Sequence, residues 1–167
     1  MKKYAVFCLL LLFLTGCSGT SDPMEAGIGL RSRLLQATGC TFDAEITADY
    51  GDKIHIFSMK CKADANGSVT FTVAEPETIS GISGILAEEQ LSPVSAPWIL
   101  LRTLRSGNMV AAWEESGAVW LSVDDSFASD ALRLDVRLNE TGLPEAADIL
   151  YNGRRILSVA VANFEIL

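Results

Sequence analysis

The rhythm of apolar and polar positions changes along this chain. Residues 4–14 form an unbroken apolar run. Residues 24–38 then carry Ile28, Leu30, Leu34 and Leu35 among polar positions, with Arg31 and Arg33 turned outward. That spacing predicts a helix, weakened by Gly27 and Gly29. From Cys40 the period becomes two: Cys40, Phe42, Ala44 and Ile46 alternate with Thr41, Asp43 and Glu45. This is the pattern of a strand with one face in a core.

Turn chemistry predicts how the strands pair. Asp49-Tyr50-Gly51-Asp52 centres a hairpin between Tyr50 and Gly51, so residues 53–62 run back along the first strand. In that register Cys40 stands opposite Cys61, and His55 sits on the apolar face near the turn, across from Ile46. Ala65-Asn66-Gly67 suits a three-residue loop, which places Phe71 opposite Cys61 and Val73 opposite Met59. Pro76 ends the third strand, and residues 78–86 predict a bent, glycine-interrupted fourth.

Ser95-Ala96-Pro97 starts a second helix, with Ser95 as cap and the proline in the first turn. Trp98, Leu100, Leu101 and Leu104 form its apolar side, Arg102 and Arg105 face out, and Gly107 stops it. A meander follows over residues 109–113, 118–123, 132–138, 145–151 and 154–164. Leu132, Leu134, Val136 and Leu138 line one face of its middle strand, and Tyr151-Asn152-Gly153-Arg154 is the strongest hairpin signal. About eight or nine antiparallel strands with one or two helices make a two-layer α+β domain. It spans residues 24–167.

The start of the chain has a different purpose. Met1-Lys2-Lys3, the apolar run and Leu14-Thr15-Gly16-Cys17 have the parts of a secretory signal. The run is too short for the roughly 20 residues of a spanning helix. A cysteine behind a leucine and two small residues resembles the bacterial lipobox, which implies lipidation of Cys17 and removal of residues 1–16. Residues 17–23 then read as a small, polar tether. Two or three acyl chains anchor stably where one does not. This predicts attachment to the extracytoplasmic face of a bacterial membrane.

Composition narrows the function. The chain holds 21 acidic and 13 basic residues, a net charge of −8. The leader takes away Lys2 and Lys3 and no acid, so the remainder is more acidic still. That argues against nucleic acid as a partner. One histidine and no CxxC argue against a metal site, and no GxSxG, HExxH or phosphate-binding loop occurs. The expectation is a protein without cofactor, metal or catalytic residues, and not an enzyme.

Several stretches resemble clostridial-type extracytoplasmic lipoproteins of the lipoprotein-carrier (LolA/LolB-like) superfamily, among them the germination lipoprotein GerS. They are Gly39-Cys40-Thr41-Phe42 with Phe57-Ser58-Met59-Lys60-Cys61, Gly67 to Val73, and Ser95-Ala96-Pro97-Trp98-Ile99-Leu100-Leu101. Asp124-Asp125-Ser126, Asn152 to Leu157 and Phe164 complete them. The resemblance covers most of the chain after the leader and is structural rather than catalytic. It implies a curved antiparallel sheet, an unclosed half-barrel, wrapped around helices with an apolar hollow between. It also implies a lipid, acyl-chain or lipoprotein ligand, or a protein partner in the envelope. The second reading is a scaffold or regulator of a cell-envelope or spore-cortex enzyme.

Five residues are the candidates for such a hollow: Phe42, Phe57, Met59, Phe71 and Trp98. The plainer reading is that they pack the core. Cys40 and Cys61 are a candidate disulfide in an exported protein, or else two buried thiols acting as small apolar groups. Trp113 and Trp120 mark a contact surface or cover the sheet. Asp124, Asp125 and Asp130 read as a solvated turn rather than a calcium loop. Arg154 and Arg155 read as sheet surface, one of them pairing with Asp148 or Glu145.

Overall fold

The structure, a computed structural model, describes residues 22–86, 92–125 and 132–167. Cys17 with its leader and most of its tether, and Ser126 and Asp130, lie outside these residues. Helix α1 (Pro23–Gln36) leads into β1 (Gly39–Asp49), β2 (Ile54–Asp64), β3 (Val69–Glu75) and β4 (Ser83–Leu86). Helix α2 (Ala96–Ser106) follows, then β5 (Asn108–Glu115), β6 (Ala118–Asp124), β7 (Leu132–Leu138), β8 (Pro144–Tyr151) and β9 (Arg154–Ile166). The strands form one open antiparallel sheet in the order β4-β3-β2-β1-β9-β8-β7-β6-β5. Two meanders are thus joined through β1 and β9, leaving β4 and β5 as edges. The α+β antiparallel domain read from the sequence, and the unclosed half-barrel that the resemblance implies, are the fold observed.

Both helices cover one face of this curved sheet, called the inner face here. Asp22 caps α1 by accepting the Met24 N–H at 3.0 Å, and Pro23 occupies its first turn. The helix packs chiefly on β5 and β6 and buries Gly27, Leu30 and Leu34. Gly27 is a contact, because a Cβ there would lie 2.5 Å from the Met109 sulfur. Ile28 and Leu35, included in the apolar stripe by spacing alone, are 59% and 56% exposed. Helix α2 packs chiefly on β6 and β9, with Ile99, Leu100, Leu101 and Leu104 all buried.

The second helix begins differently from the sequence expectation. Ser95 stands at its N-cap but makes no capping bond to it. Its hydroxyl instead turns back, donating to the Ser92 carbonyl at 2.8 Å and accepting the Ser92 N–H at 3.1 Å. A short 3-10 turn, Pro93–Ser95, takes that capping and runs directly into α2. Arg31 of α1 meets the other end, donating to the carbonyls of Leu104 at 2.8 Å and Gly107 at 2.7 Å. Those are carbonyls a helix C-terminus leaves without internal partners, and a cation is favoured there.

The register between β1 and β2 also departs from expectation. Asp49 pairs with Ile54, so the hairpin loop holds Tyr50 to Lys53, and Cys40 stands opposite Ala63 rather than Cys61. His55 accordingly pairs with Ala48. A two-residue Tyr50-Gly51 loop would need a tyrosine at a position of positive φ, where hairpins of that length favour Gly, Asn or Asp. The longer loop avoids this. Asp49 accepts the Gly51 N–H at 2.7 Å, and Gly51 takes the positive angle, φ 91°. A shift of two residues leaves every side chain on its expected face.

Elsewhere the turns act as read. Met59 pairs with Val73 and Cys61 with Phe71. Tyr151 pairs with Arg154 across Asn152 and Gly153, both at positive φ. Only the last four residues of the expected fourth strand pair with β3, because residues 77–79 form a 3-10 turn after Pro76. The core lies between helices and sheet. Leu134, Val136 and Leu138 of β7 are almost fully buried there with Ile46, Ala48, Leu121, Val123 and Ile149.

Candidate functional site

The inner face of β1 to β3 carries the apolar residues nominated from the sequence. Alternation puts Phe42 and Ile46 of β1, Phe57 and Met59 of β2, and Phe71 of β3 on this side. Phe42, Met59 and Trp98 are buried, and Phe42 stacks on Phe164 at 5.3 Å between ring centres. Phe57 and Phe71 differ: both are only partly buried against the core. The nominated set therefore divides into three core residues and two that keep exposed surface. Beyond Phe57 the same face continues into His55, whose ring stacks on Phe57 at 6.3 Å and meets Tyr50 edge-on at 5.7 Å. His55 is exposed, a surface aromatic at the open end of this strip.

Cys40 and Cys61 are both buried free thiols, and the disulfide considered from the sequence is not present. The register explains it: each stands opposite another residue, Ala63 and Phe42, so the two are diagonal neighbours. Direct cross-strand partners approach more closely than diagonal ones. Burial pushes the Cys40 thiol up to about 11, against a smaller downward pull from Arg105. Burial likewise pushes Cys61 up to about 12, with Asp43 and Cys40 adding to it. Such thiols are poor nucleophiles and behave as small apolar groups.

Arg102, expected to face out, and Asp125, expected in a solvated turn, pair with each other instead. Asp125 is 7% exposed, and the Arg102 guanidinium bonds to its carboxylate while lying 4.5 Å over the Trp98 ring. Neither the outward arginine nor the solvated acidic turn holds at these two positions. A distant contact decided both: the residues are 23 positions apart. Arg105, also expected to face out, donates to the Ala65 carbonyl at 2.7 Å and fastens α2 to the β2–β3 turn.

The outer face of the sheet is laced with polar and aromatic pairs. Trp113 and Trp120 stack face to face across β5 and β6 at 6.0 Å. Arg137 lies 6.0 Å over Trp120 and pairs with Glu145 at 2.6 Å. Arg155 reaches Asp148 at 3.5 Å, one of the pairings anticipated for the tight β8–β9 hairpin. Among the described residues there is no cluster of metal-binding side chains, and no helix is long and apolar enough to cross a membrane.

Neither a family model nor a curated protein matches the chain. Among solved structures it is similar to a LolA superfamily protein from Nitrosomonas europaea, with 8% identity, 89% of this chain and 94% of that one covered, and a TM-score of 0.43. It is similar to a DUF1329 family protein from Desulfovibrio piger, with 10% identity, 87% and 94% coverage and a TM-score of 0.40. A chain of the Pseudomonas aeruginosa MucA/MucB complex is similar at 12% identity, with 87% of this chain and 57% of that one covered and a TM-score of 0.41. These likenesses assign no role to any residue.

Proposed function

We propose that this protein is a non-enzymatic lipoprotein, anchored through Cys17 on the extracytoplasmic face of a membrane, that holds an acyl chain or another lipoprotein against its inner face. The observation that carries the reading is the division on that face. The helices pack chiefly on β5, β6 and β9, while Phe57 and Phe71 on β2 and β3 keep accessible apolar surface beside a closed core. An acyl chain recovers about 0.8 kcal/mol for each CH₂ it buries, so a short apolar trough suffices for reversible binding. The lipobox-like Leu14-Thr15-Gly16-Cys17 supports the anchor.

Mass spectrometry of lipid extracted from the purified chain and from a Phe57→Glu variant tests the ligand. The wild-type chain is expected to carry lipid that the variant lacks. Equal lipid in both, with no displacement of an apolar dye, sinks the reading.

A second reading, a scaffold for an envelope protein, is favoured by one feature. Strand β5 is an unpaired edge beside the Trp113–Trp120 stack, with Val110 51% exposed. Exposed edges and surface tryptophans are common docking features. Crosslinking from a residue on β5 in intact envelopes separates it from the first.

A further inference from the structure

We infer that the rim formed by the end of α1, the β2–β3 turn and α2 binds an organic anion: a phosphate or carboxylate group carried on a short apolar stem. A groove of about 330 Å³ opens there. Its lining brings together the guanidiniums of Arg102 and Arg105, the polar side chains of Asn66 and Ser68, and the apolar Leu35 and Trp98. It contains no carboxylate side chain. Asp125 behind the lining balances the Arg102 charge, whereas Arg105 is held by carbonyls alone and keeps its charge, in a chain with 21 acidic residues against 13 basic. The depression beside β1 and β2 sets Asp43 and Glu45 against Lys60, and the groove at the far end of β1 sets Asp49 beside Arg154 and Arg155, so both of these carry carboxylates in their lining.

The two cations are positioned before any ligand arrives. Arg105 donates to the carbonyls of Ala65 at 2.7 Å and Asp64 at 3.5 Å. Carbonyls orient a guanidinium without cancelling its charge. Arg102 is held by Asp125, whose carboxylate balances its charge, and by the Trp98 ring at 4.5 Å, so it contributes directed N–H donors rather than net charge. Fixed guanidiniums recognise phosphate and carboxylate oxygens by directed, charge-assisted bonds and lose little ordering entropy in doing so. Asn66 and Ser68 add neutral donors. Leu35, 56% exposed, supplies the apolar wall that selects a stem. A long polyanion would run out of the groove onto an acidic surface, so the site suits a small anion.

Trp98 belongs also to the inner apolar face, so the stem rests on the proposed function; the anion does not. Calorimetric titration of the full chain in a non-ionic detergent, with inorganic phosphate, butyl phosphate and butanol as probes, tests both parts. Butyl phosphate is expected to bind more tightly than phosphate, to weaken with added salt, and to be competed by phosphate. Butanol is expected not to bind. Asn66→Asp puts a carboxylate into the groove and is expected to weaken butyl phosphate at least about tenfold, the factor of one charge-assisted hydrogen bond. Leu35→Glu touches no hydrogen bond and is expected to act in the same direction. Phosphate binding as tightly as butyl phosphate overturns the stem and supports the anion site. No binding of either anion, or binding that both variants leave unchanged, overturns the anion site, whatever lipid extraction reveals about Phe57.

Discussion

Cys61 stands directly across the β1–β2 pair from Phe42, and Cys40 stands across from Ala63. The thiols are therefore close enough to influence one another electrostatically while each packs as part of the core. Both are expected to react with a thiol reagent only after denaturation. The melting temperature is expected to be the same with and without reductant. A loss of stability on reduction of the size that loss of a disulfide brings, about 2–4 kcal/mol, would contradict this.

The same thiols give the fold an alkaline weakness. Their folded values, about 11 and about 12, lie above the unfolded value near 9. The folded state then favours the protonated form, so this contribution is complete below pH 9 and is lost as pH rises through the folded values. Stability by denaturant titration is expected to fall between pH 9 and about pH 12, and a Cys40→Ala, Cys61→Ala double variant is expected to fall less.

Two glycines in one helix are expected to respond oppositely to alanine. At Gly29 nothing lies within 4 Å of a new Cβ, so Gly29→Ala gains up to about 1 kcal/mol of helix propensity. At Gly27 the Met109 sulfur at 2.5 Å and Leu121 Cδ2 at 2.8 Å would have to give way, and Leu121 is fully buried with little room to move. Overpacking costs about 1–3 kcal/mol and outweighs the propensity. Urea unfolding of the two variants measures the sign directly.

Arg31 joins the helices by two bonds to the end of α2. Arg31→Ala leaves those part-buried carbonyls without their cation, and a loss of about 1.5–3 kcal/mol is expected. Arg31→Lys, unable to fork, is expected to fall between the two. Indistinguishable melting of all three proteins would remove the contact from any account of how α1 is held.

Cys17→Ala is expected to leave the folded domain unchanged, as judged by its melting temperature. It is also expected to release the protein from membranes or to leave its leader uncut. A variant that is cleaved and still fractionates fully with membranes would remove lipid anchoring from the proposed function.

Much of this fold was legible because its signals are local. Asn152-Gly153 carries positive φ at both positions of a two-residue turn, and that chemistry alone specified the β8–β9 hairpin. Gly67 specified the next register in the same way, with Met59 opposite Val73. The Asp49–Asp52 turn misled by two residues, because Asp49 can close a longer loop through its side chain and alternation cannot tell registers of equal parity apart. The candidate site was legible only in part. Periodicity put Phe42, Phe57, Met59 and Phe71 on one face correctly, yet it carries no information on which of them a helix covers.

By itself, the sequence determined the alternation, the turns, the faces of the strands and the acidic balance, all of which depend on neighbours a few residues away. Tertiary structure alone decided that β9 pairs with β1, that Gly27 makes room for Met109, and that Arg102 finds Asp125. It also decided that Phe57 and Phe71 stay accessible while Phe42 does not. These outcomes depend on how far the sheet curls and where two helices come to rest on it. Burial and pairing at such distances come from packing the whole chain at once, and no short stretch of residues encodes them.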